Sequence, residues 1–265
     1  MSRIEAKFKA MGEGQRKGLI PFVTAGDPDL ATTRKVLNEL VTAGADLIEL
    51  GMPYSDPMAD GPVIQAASER AIAAGVNISG VLDLVRDFRK EHDTPIILFG
   101  YYNPIFQYGD AQFAEDAAAA GADGCLVVDL PPEEAGPFAS QLQARGMDFI
   151  ALLTPTSGPD RMEAVKRVAS GFVYYVSIKG VTGAETKGIY DGLGSRINDL
   201  QGLLELPVAV GFGISTANDV QEVTRHADAA VVGSALIRAM APDSPPFSEV
   251  PLRAGHFLKE LSAGR

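Results

Sequence analysis

Three carboxylates lie close together in the segment 49–60, and they are the side chains in this sequence best suited to acid–base chemistry. Glu49 interrupts the apolar run 47–50, and Asp56 and Asp60 follow in a loop rich in glycine and proline. A charged side chain in a buried strand is costly unless it is paired or used. One strand and its following loop therefore bring together groups that can transfer protons or stabilise positive charge.

Each carboxylate also has a structural interpretation. Glu49 could form a salt bridge with a neighbouring arginine or lysine at a strand end. Asp56 could form a turn, and Asp60 precedes Gly61-Pro62, which is typical of a helix N-terminus, so it could cap the helix that follows. These alternatives stay open on the residues alone.

Glycines at the predicted ends of three later strands indicate a phosphate site. They lie in Thr182-Gly183, Gly211-Phe212-Gly213 and Gly233-Ser234. A phosphate needs convergent N–H donors and close backbone approach, which favours glycine. Ser234 could cap a short helix after Gly233 and also contact the phosphate. The alternative is that each glycine only forms a tight turn.

Short apolar runs alternate with helical patterns along the whole chain, which predicts βαβ units and a parallel sheet. The predicted strands are 19–24, 47–51, 95–101, 124–128, 149–153, 172–177, 208–211 and 229–233. The predicted helices are 1–11, 30–43, 62–74, 78–91, 111–120, 132–145, 160–169, 195–204, 216–226 and 247–262.

Eight such units in 265 residues predict an α/β protein, a single (β/α)8 TIM barrel domain over 1–265. An extra N-terminal helix precedes it, and a short phosphate-binding helix follows strand 8. A doubly wound open sheet is the alternative, but it often has a Gly-x-Gly-x-x-Gly turn after the first strand. The segment 24–28 lacks that turn. Barrel enzymes carry their catalytic groups at the C-terminal strand ends, where the carboxylates and glycines fall.

Composition excludes several classes of protein. The net charge of −11 argues against nucleic acid and membrane surfaces as partners, although backbone N–H groups can still bind a small anion. Cys125 is the one cysteine, which excludes an internal disulfide framework and fits a cytoplasmic location. The three histidines, His92, His226 and His256, are scattered, so no metal site is predicted.

The segment 49–62 resembles the signature of the tryptophan synthase alpha subunit family. The resemblance extends to 21–28, 101–104, 180–183, 211–215 and 233–235, nearly the whole chain. It implies a barrel that cleaves indole-3-glycerol phosphate to indole and glyceraldehyde 3-phosphate. It further implies that indole passes to a beta subunit in an α2β2 complex, with no cofactor in this chain and pyridoxal phosphate on the partner. Ile178-Lys179 departs from the family's usual residues.

The resemblance also assigns roles to individual residues. It implies that Glu49 is the acid–base carboxylate, that Asp60 faces the indole nitrogen and that Tyr174 lines the catalytic site. It implies that the phosphate is bound by Gly183, Gly213, Gly233 and Ser234. It also implies that the pocket is lined by Phe22, Tyr102, Thr182 and Phe212.

These residue types suit a retro-aldol cleavage. Indole leaves only after its C3 is protonated, which places positive charge on the ring nitrogen, and Asp60 could stabilise that charge. Glu49 could protonate C3 and take the side-chain hydroxyl proton if its apolar strand raises its pKa.

Three other interpretations stay open. Lys179 could make the protein a Schiff-base aldolase, the barrel could regulate a partner without catalysis, or it could be a free-standing lyase that releases indole. The segment 179–194 is predicted to close over substrate as a lid. The loop 52–60, with Pro53, Tyr54 and Pro57 expected to be exposed, is predicted to contact the beta subunit.

Overall fold

The computed structural model describes residues 1–176, 192–211 and 213–265. In these ranges, nine parallel strands form a nearly closed barrel in the order β5-β4-β3-β2-β1-β9-β8-β7-β6. The strands are β1 (Gly18–Thr24), β2 (Ile48–Gly51), β3 (Ile96–Gly100), β4 (Gly124–Val127), β5 (Asp148–Phe149), β6 (Ala151–Leu153), β7 (Val173–Val176), β8 (Val208–Gly211) and β9 (Ala229–Val232). The TIM barrel prediction is confirmed.

The difference between eight predicted strands and nine observed ones arises at Ile150. The predicted strand 149–153 is split there, because β5 pairs with β4 whereas β6 pairs with β7. The N–H of Ile150 itself donates to the carbonyl of Cys125 at 2.9 Å, which continues the β4 side. The barrel therefore closes through a strand that changes neighbour along its length.

Helices surround the barrel and connect successive strands. Their bounds are α1 (Arg3–Glu13), α2 (Leu30–Thr42), α3 (Pro62–Ala73), α4 (Ile78–Arg89), α5 (Tyr102–Tyr108), α6 (Asp110–Ala120), α7 (Gly136–Gln143), α8 (Pro159–Val168), α9 (Leu193–Leu204), α10 (Ala217–Thr224), α11 (Ser234–Met240) and α12 (Val250–Ser262), with a 3-10 turn at Phe247–Glu249. The sequence pattern did not predict α5, and α7 is shorter than the predicted helix 132–145.

Local capping explains where several of these helices begin. The side chain of Asp29 accepts from the N–H of Thr32 before α2, and that of Asn77 accepts from the N–H of Gly80 before α4. A side-chain oxygen at the N-cap satisfies an amide that has no partner within the helix, which contributes about 1 kcal/mol.

Helix α1 closes the N-terminal end of the barrel, as the extra-helix prediction expected. Its buried residues Ile4, Phe8 and Met11 pack against inward-facing strand residues. The hydroxyl of Ser2, the N-cap, also donates to Asp148 Oδ2 at 2.7 Å. The helix is therefore fixed to the barrel by both apolar packing and a polar contact at its first turn.

Three aspartates at this same end join neighbouring strands. Asp46, Asp123 and Asp228 each precede a strand, and each side chain accepts from a backbone N–H of the strand beside it. The donors are Leu19, Ile96 and Val208, at 3.0, 2.8 and 2.9 Å respectively. Arginines neutralise the two most buried members: Arg16 and Arg265 bind Asp46, while Arg3 and Arg89 bind Asp123. We call these residues the three aspartate clamps.

Candidate active site

Glu49 lies on β2 at the opposite, C-terminal end of the barrel, opposite Phe22 of β1 in the strand register. Its side chain is buried, at 1% exposure, and its Oε1 has no hydrogen-bond partner among the described residues. The salt bridge considered for it from the sequence is not formed within those ranges. Burial raises the pKa of Glu49 from 4.5 to about 8, so the carboxyl group is mostly protonated at neutral pH.

Asp60 ends the loop between β2 and α3. Its Oδ2 accepts a hydrogen bond from the Tyr101 hydroxyl at 3.1 Å. The N-cap of α3 is Gly61, with no side-chain capping bond, so the capping interpretation of Asp60 is wrong. Burial raises the pKa of Asp60 from 3.8 to about 6, and the bond from Tyr101 opposes that rise. Asp60 is therefore mostly ionised at pH 7.

Tyr101 fixes the loop that carries Asp60. Its hydroxyl also accepts from the N–H of Ala59 at 3.1 Å, and its ring lies 5.3 Å from that of Tyr54. The Asn103 side-chain amide donates to the Tyr54 hydroxyl at 3.2 Å. The end of β3 and the start of α5 thus hold both ends of the loop 52–60.

Tyr174 lies on β7 and faces the same space. Gly211 makes room for it, because a Cβ at that position would lie 1.9 Å from the Tyr174 hydroxyl oxygen. Burial, then the charges of Glu49 and Asp60, raise the pKa of Tyr174 well above its usual value. The hydroxyl therefore stays neutral, and Tyr174 lies within electrostatic reach of both Glu49 and Asp60.

Phe22 forms an apolar wall beside Glu49. Its ring packs edge-on against Phe99 at 5.1 Å. A Cβ at Gly51 would lie 2.7 Å from Cζ of Phe22, so glycine is needed there for the ring to keep its position. The role of Phe22 in lining the indole pocket stays a prediction.

Tyr102 stays a predicted pocket-lining residue, and its side chain contacts α6 and α7. Its hydroxyl donates to Asp110 Oδ2 at 2.7 Å, and its ring lies 6.1 Å from Phe138 of α7. The adjacent Tyr101 contacts Asp60 instead. Sequence reasoning missed Tyr101, and the only signal was its membership of the same Tyr-Tyr-Asn-Pro motif.

The proposed phosphate contacts are described only in part. Gly213 has φ +73°, a left-handed conformation that favours glycine. Gly233 is the N-cap of α11 and Ser234 is its first residue, with no side-chain capping bond, so the capping role expected for Ser234 is wrong. Thr182, Gly183 and Phe212 lie outside the described residues, as do Lys179 and most of the predicted lid 179–194.

A buried ion pair supports the same end of the barrel. Asp27, in the loop after β1, accepts two hydrogen bonds from Arg70 of α3, at 2.7 and 2.9 Å. This pair ties the helix that follows Asp60 to the end of β1. No pattern in the sequence indicates that these two residues are partners.

Other kinds of site find no support in the described ranges. These ranges hold no group of three or more histidine, cysteine, aspartate or glutamate side chains placed to bind a metal ion. Their helices include none with the length and apolar character needed to span a bilayer. Cys125 is a buried free thiol whose pKa is raised by burial.

Comparison with known proteins agrees with this geometry. The family model of the tryptophan synthase alpha chain matches residues 8–249. The tryptophan synthase alpha chain of Citrifermentans bemidjiense is 56% identical over 264 residues, covering 100% of this chain and 98% of that protein. The solved structure of tryptophan synthase subunit alpha from Legionella pneumophila is 39% identical, with a TM-score of 0.92 over 100% of this chain and 98% of that one.

A second solved structure, tryptophan synthase from M. tuberculosis in an aminoacrylate-bound form, is 31% identical with a TM-score of 0.87, over 100% of this chain and 99% of that one. The profile match and these identities both extend over nearly the full length. The chain belongs to the tryptophan synthase alpha chain family, the carbon–carbon lyase component of tryptophan biosynthesis.

Proposed function

We propose that Glu49 transfers the protons and Asp60 stabilises the charge when this chain cleaves indole-3-glycerol phosphate to indole and glyceraldehyde 3-phosphate. The observation that carries the proposal is the buried carboxyl group of Glu49 at the barrel mouth, whose Oε1 has no partner among the described residues and whose pKa is raised to about 8. A proton-transfer group works best when its pKa lies near the working pH.

The proton steps balance with Glu49 alone. The protonated carboxyl group delivers its proton to C3 of the indole ring, which leaves positive charge on the ring nitrogen. The resulting carboxylate then takes the proton of the side-chain hydroxyl. The carbon–carbon bond breaks, its electrons return to the ring, and the hydroxyl carbon becomes the aldehyde. Glu49 ends protonated, ready for another cycle.

Asp60 has the complementary role because its pKa is lower than that of Glu49. An ionised carboxylate near the indole N–H stabilises the positive charge as it develops. Two carboxyl groups whose surroundings separate their pKa values are typical of an acid and a charge stabiliser sharing a site. Tyr101 holds Asp60 in position by its hydrogen bond.

The rest of the site binds and orients the substrate. We assign the indole pocket to Phe22, Tyr102 and Tyr174, and we add Tyr101 because its hydroxyl binds Asp60. Thr182 and Phe212 are kept from the family resemblance. We assign the phosphate to Gly183, Gly213, Gly233 and Ser234, and its anchoring would contribute positioning. Support for the phosphate end is the glycine conformation at 213 and the start of α11 after Gly233.

We further propose that the chain works with a beta subunit, in an α2β2 assembly in which the partner carries pyridoxal phosphate. The contact would include the loop 52–60. In this loop Asp56 and Met58 are exposed, whereas Pro53, Tyr54 and Pro57, expected to be exposed, are half-buried. Because Tyr54 touches Tyr101 and Tyr101 binds Asp60, a partner that moves this loop would also move Asp60.

Two further proposals complete this account. We place the protein in the cytoplasm, supported by its single free thiol, which suits a reducing compartment. We also propose that residues 1–265 form one barrel domain, supported by the strand order that links both ends of the chain.

The test is a product assay with indole-3-glycerol phosphate, with and without a beta subunit. We expect indole and glyceraldehyde 3-phosphate in equal amounts, and loss of both in a Glu49→Gln variant. Turnover retained by that variant would refute the assignment of Glu49. Borohydride trapping of substrate on Lys179 would instead support the Schiff-base alternative.

A further inference from the structure

Thr24 carries a buried hydroxyl that the fold does not use. It is the last residue of β1, it is 2% exposed, and its Oγ1 has no hydrogen-bond partner among the residues that the structure describes. A buried polar atom without a partner destabilises the folded state, and such atoms are rare in native proteins. A buried hydroxyl at this place therefore needs an explanation.

The strand geometry points this hydroxyl into the barrel mouth. Alternate residues of a strand share a face, so Thr24 lies on the same face of β1 as Ile20 and Phe22. Ile20 belongs to the cluster that fills the barrel interior. Thr24 is opposite Gly51 in the register, and the ring of Phe22 lies over Gly51 on this same inner face.

A second buried atom without a described partner, Oε1 of Glu49, lies on the neighbouring strand β2 and deeper in the barrel. Phe22 is opposite Glu49 in the register, so Glu49 and Thr24 occupy neighbouring strands, two residues apart along the inner face. Glu49 Oε1 and Thr24 Oγ1 are both buried without partners in the part of the chain that the structure describes, and they do not bond to each other. A ligand hydroxyl between them could satisfy both atoms at once.

We propose that Thr24 is a substrate-binding residue that donates a hydrogen bond to the oxygen of the glycerol side-chain hydroxyl that Glu49 deprotonates. This inference rests on the proposed role of Glu49. A donor at a hydroxyl oxygen stabilises the negative charge that builds there as its proton leaves. The threonine methyl group would meanwhile maintain contact with the apolar wall.

The test compares Thr24→Val, which removes the hydroxyl at nearly constant shape, with Thr24→Ser, which keeps it. A neutral hydrogen bond of about 1 kcal/mol corresponds to about a fivefold change. We therefore expect Thr24→Val to lower kcat/KM for indole-3-glycerol phosphate about fivefold or more, and Thr24→Ser to stay within about twofold.

A matched ligand separates this role from a structural one. The analogue 3-(indol-3-yl)propyl phosphate lacks both side-chain hydroxyls, so its affinity should be the same for Thr24→Val and the native protein. The thermal midpoint of Thr24→Val should be equal or higher, because the substitution removes an unsatisfied polar group. If Thr24→Val folds poorly, Thr24→Ala tests the same hydroxyl.

The inference is overturned if the hydroxyl-free variants keep native kcat/KM, or if they lose affinity for the analogue and the substrate alike. Glu49→Gln is assayed in parallel to keep the two proposals apart. An inactive Glu49→Gln beside a fully active Thr24→Val overturns the role of Thr24 alone. An active Glu49→Gln overturns the role of Glu49 and, with it, this one.

Discussion

Replacing Glu49 by glutamine should make the protein more stable as well as inactive, and the gain should depend on pH. The folded protein holds the Glu49 proton up to a pKa of about 8, whereas the unfolded chain releases it near 4.5. Between these values the folded state binds more protons than the unfolded state. The free energy of unfolding therefore falls as pH rises through this window. The glutamine side chain does not titrate in this range, so the free energy of unfolding of the variant does not decrease in this way.

The magnitude follows from the same pKa values. Each pH unit above the unfolded pKa costs about 1.4 kcal/mol until the folded pKa is reached. The stability difference between Glu49→Gln and the native protein should therefore grow from roughly 1 kcal/mol at pH 5 to about 3 kcal/mol at pH 7. It should level off at about 5 kcal/mol above pH 8, an order-of-magnitude upper limit.

The assay is urea unfolding of both proteins at pH 5, 6, 7 and 8, with the difference taken at each pH. Asp56→Asn is the matched control, since Asp56 is an exposed carboxylate of the adjoining loop, and its difference should stay flat. A flat difference for Glu49→Gln as well would refute the reasoning, because the carboxyl group would then titrate alike in both states.

Four predictions concern activity. Asp60→Asn should lower kcat several hundredfold, about 3–4 kcal/mol, while substrate binding persists; unchanged kcat would contradict its role. Tyr101→Phe should lower kcat about tenfold by releasing Asp60, whereas Tyr102→Phe should not, and equal effects would remove the distinction drawn between the two tyrosines. Gly233→Asp should abolish competition by glycerol 3-phosphate, since it adds bulk and like charge at the phosphate end; competition that persists at millimolar levels places the phosphate elsewhere. A beta subunit should raise the slow turnover of the isolated chain at least about tenfold, and Asp56→Ala should weaken that activation more than the basal rate; an isolated chain already at full rate would favour the free-standing lyase.

The carboxylates were predictable because a charge inside an apolar run is costly wherever the run folds. Glu49 stood out for that reason and Asp60 because it follows in the adjoining loop, and burial does raise the pKa of both. The barrel was predictable from periodicity, since most of its strands are buried on both faces.

What the sequence could not decide depends on neighbours distant in the chain. Tyr101 and Tyr102 are adjacent, and which one faces Asp60 depends on where β3 ends and α5 begins. The break at Ile150 reflects the pairing of β5 and β6 with different strands, which local pattern does not encode. The bond between Asp27 and Arg70 joins residues far apart in sequence, and neither residue type specifies its partner.

The three aspartate clamps make the two ends of this barrel suitable for different kinds of alteration. Each clamp is an Ala-Asp pair at 45–46, 122–123 or 227–228, and each joins two strands at the end away from Glu49. Libraries that vary the loops after the strands would leave all three clamps intact. A protein engineer could therefore retarget the C-terminal mouth toward other phosphorylated aromatic substrates, while treating the Ala-Asp pairs as fixed positions that preserve the scaffold.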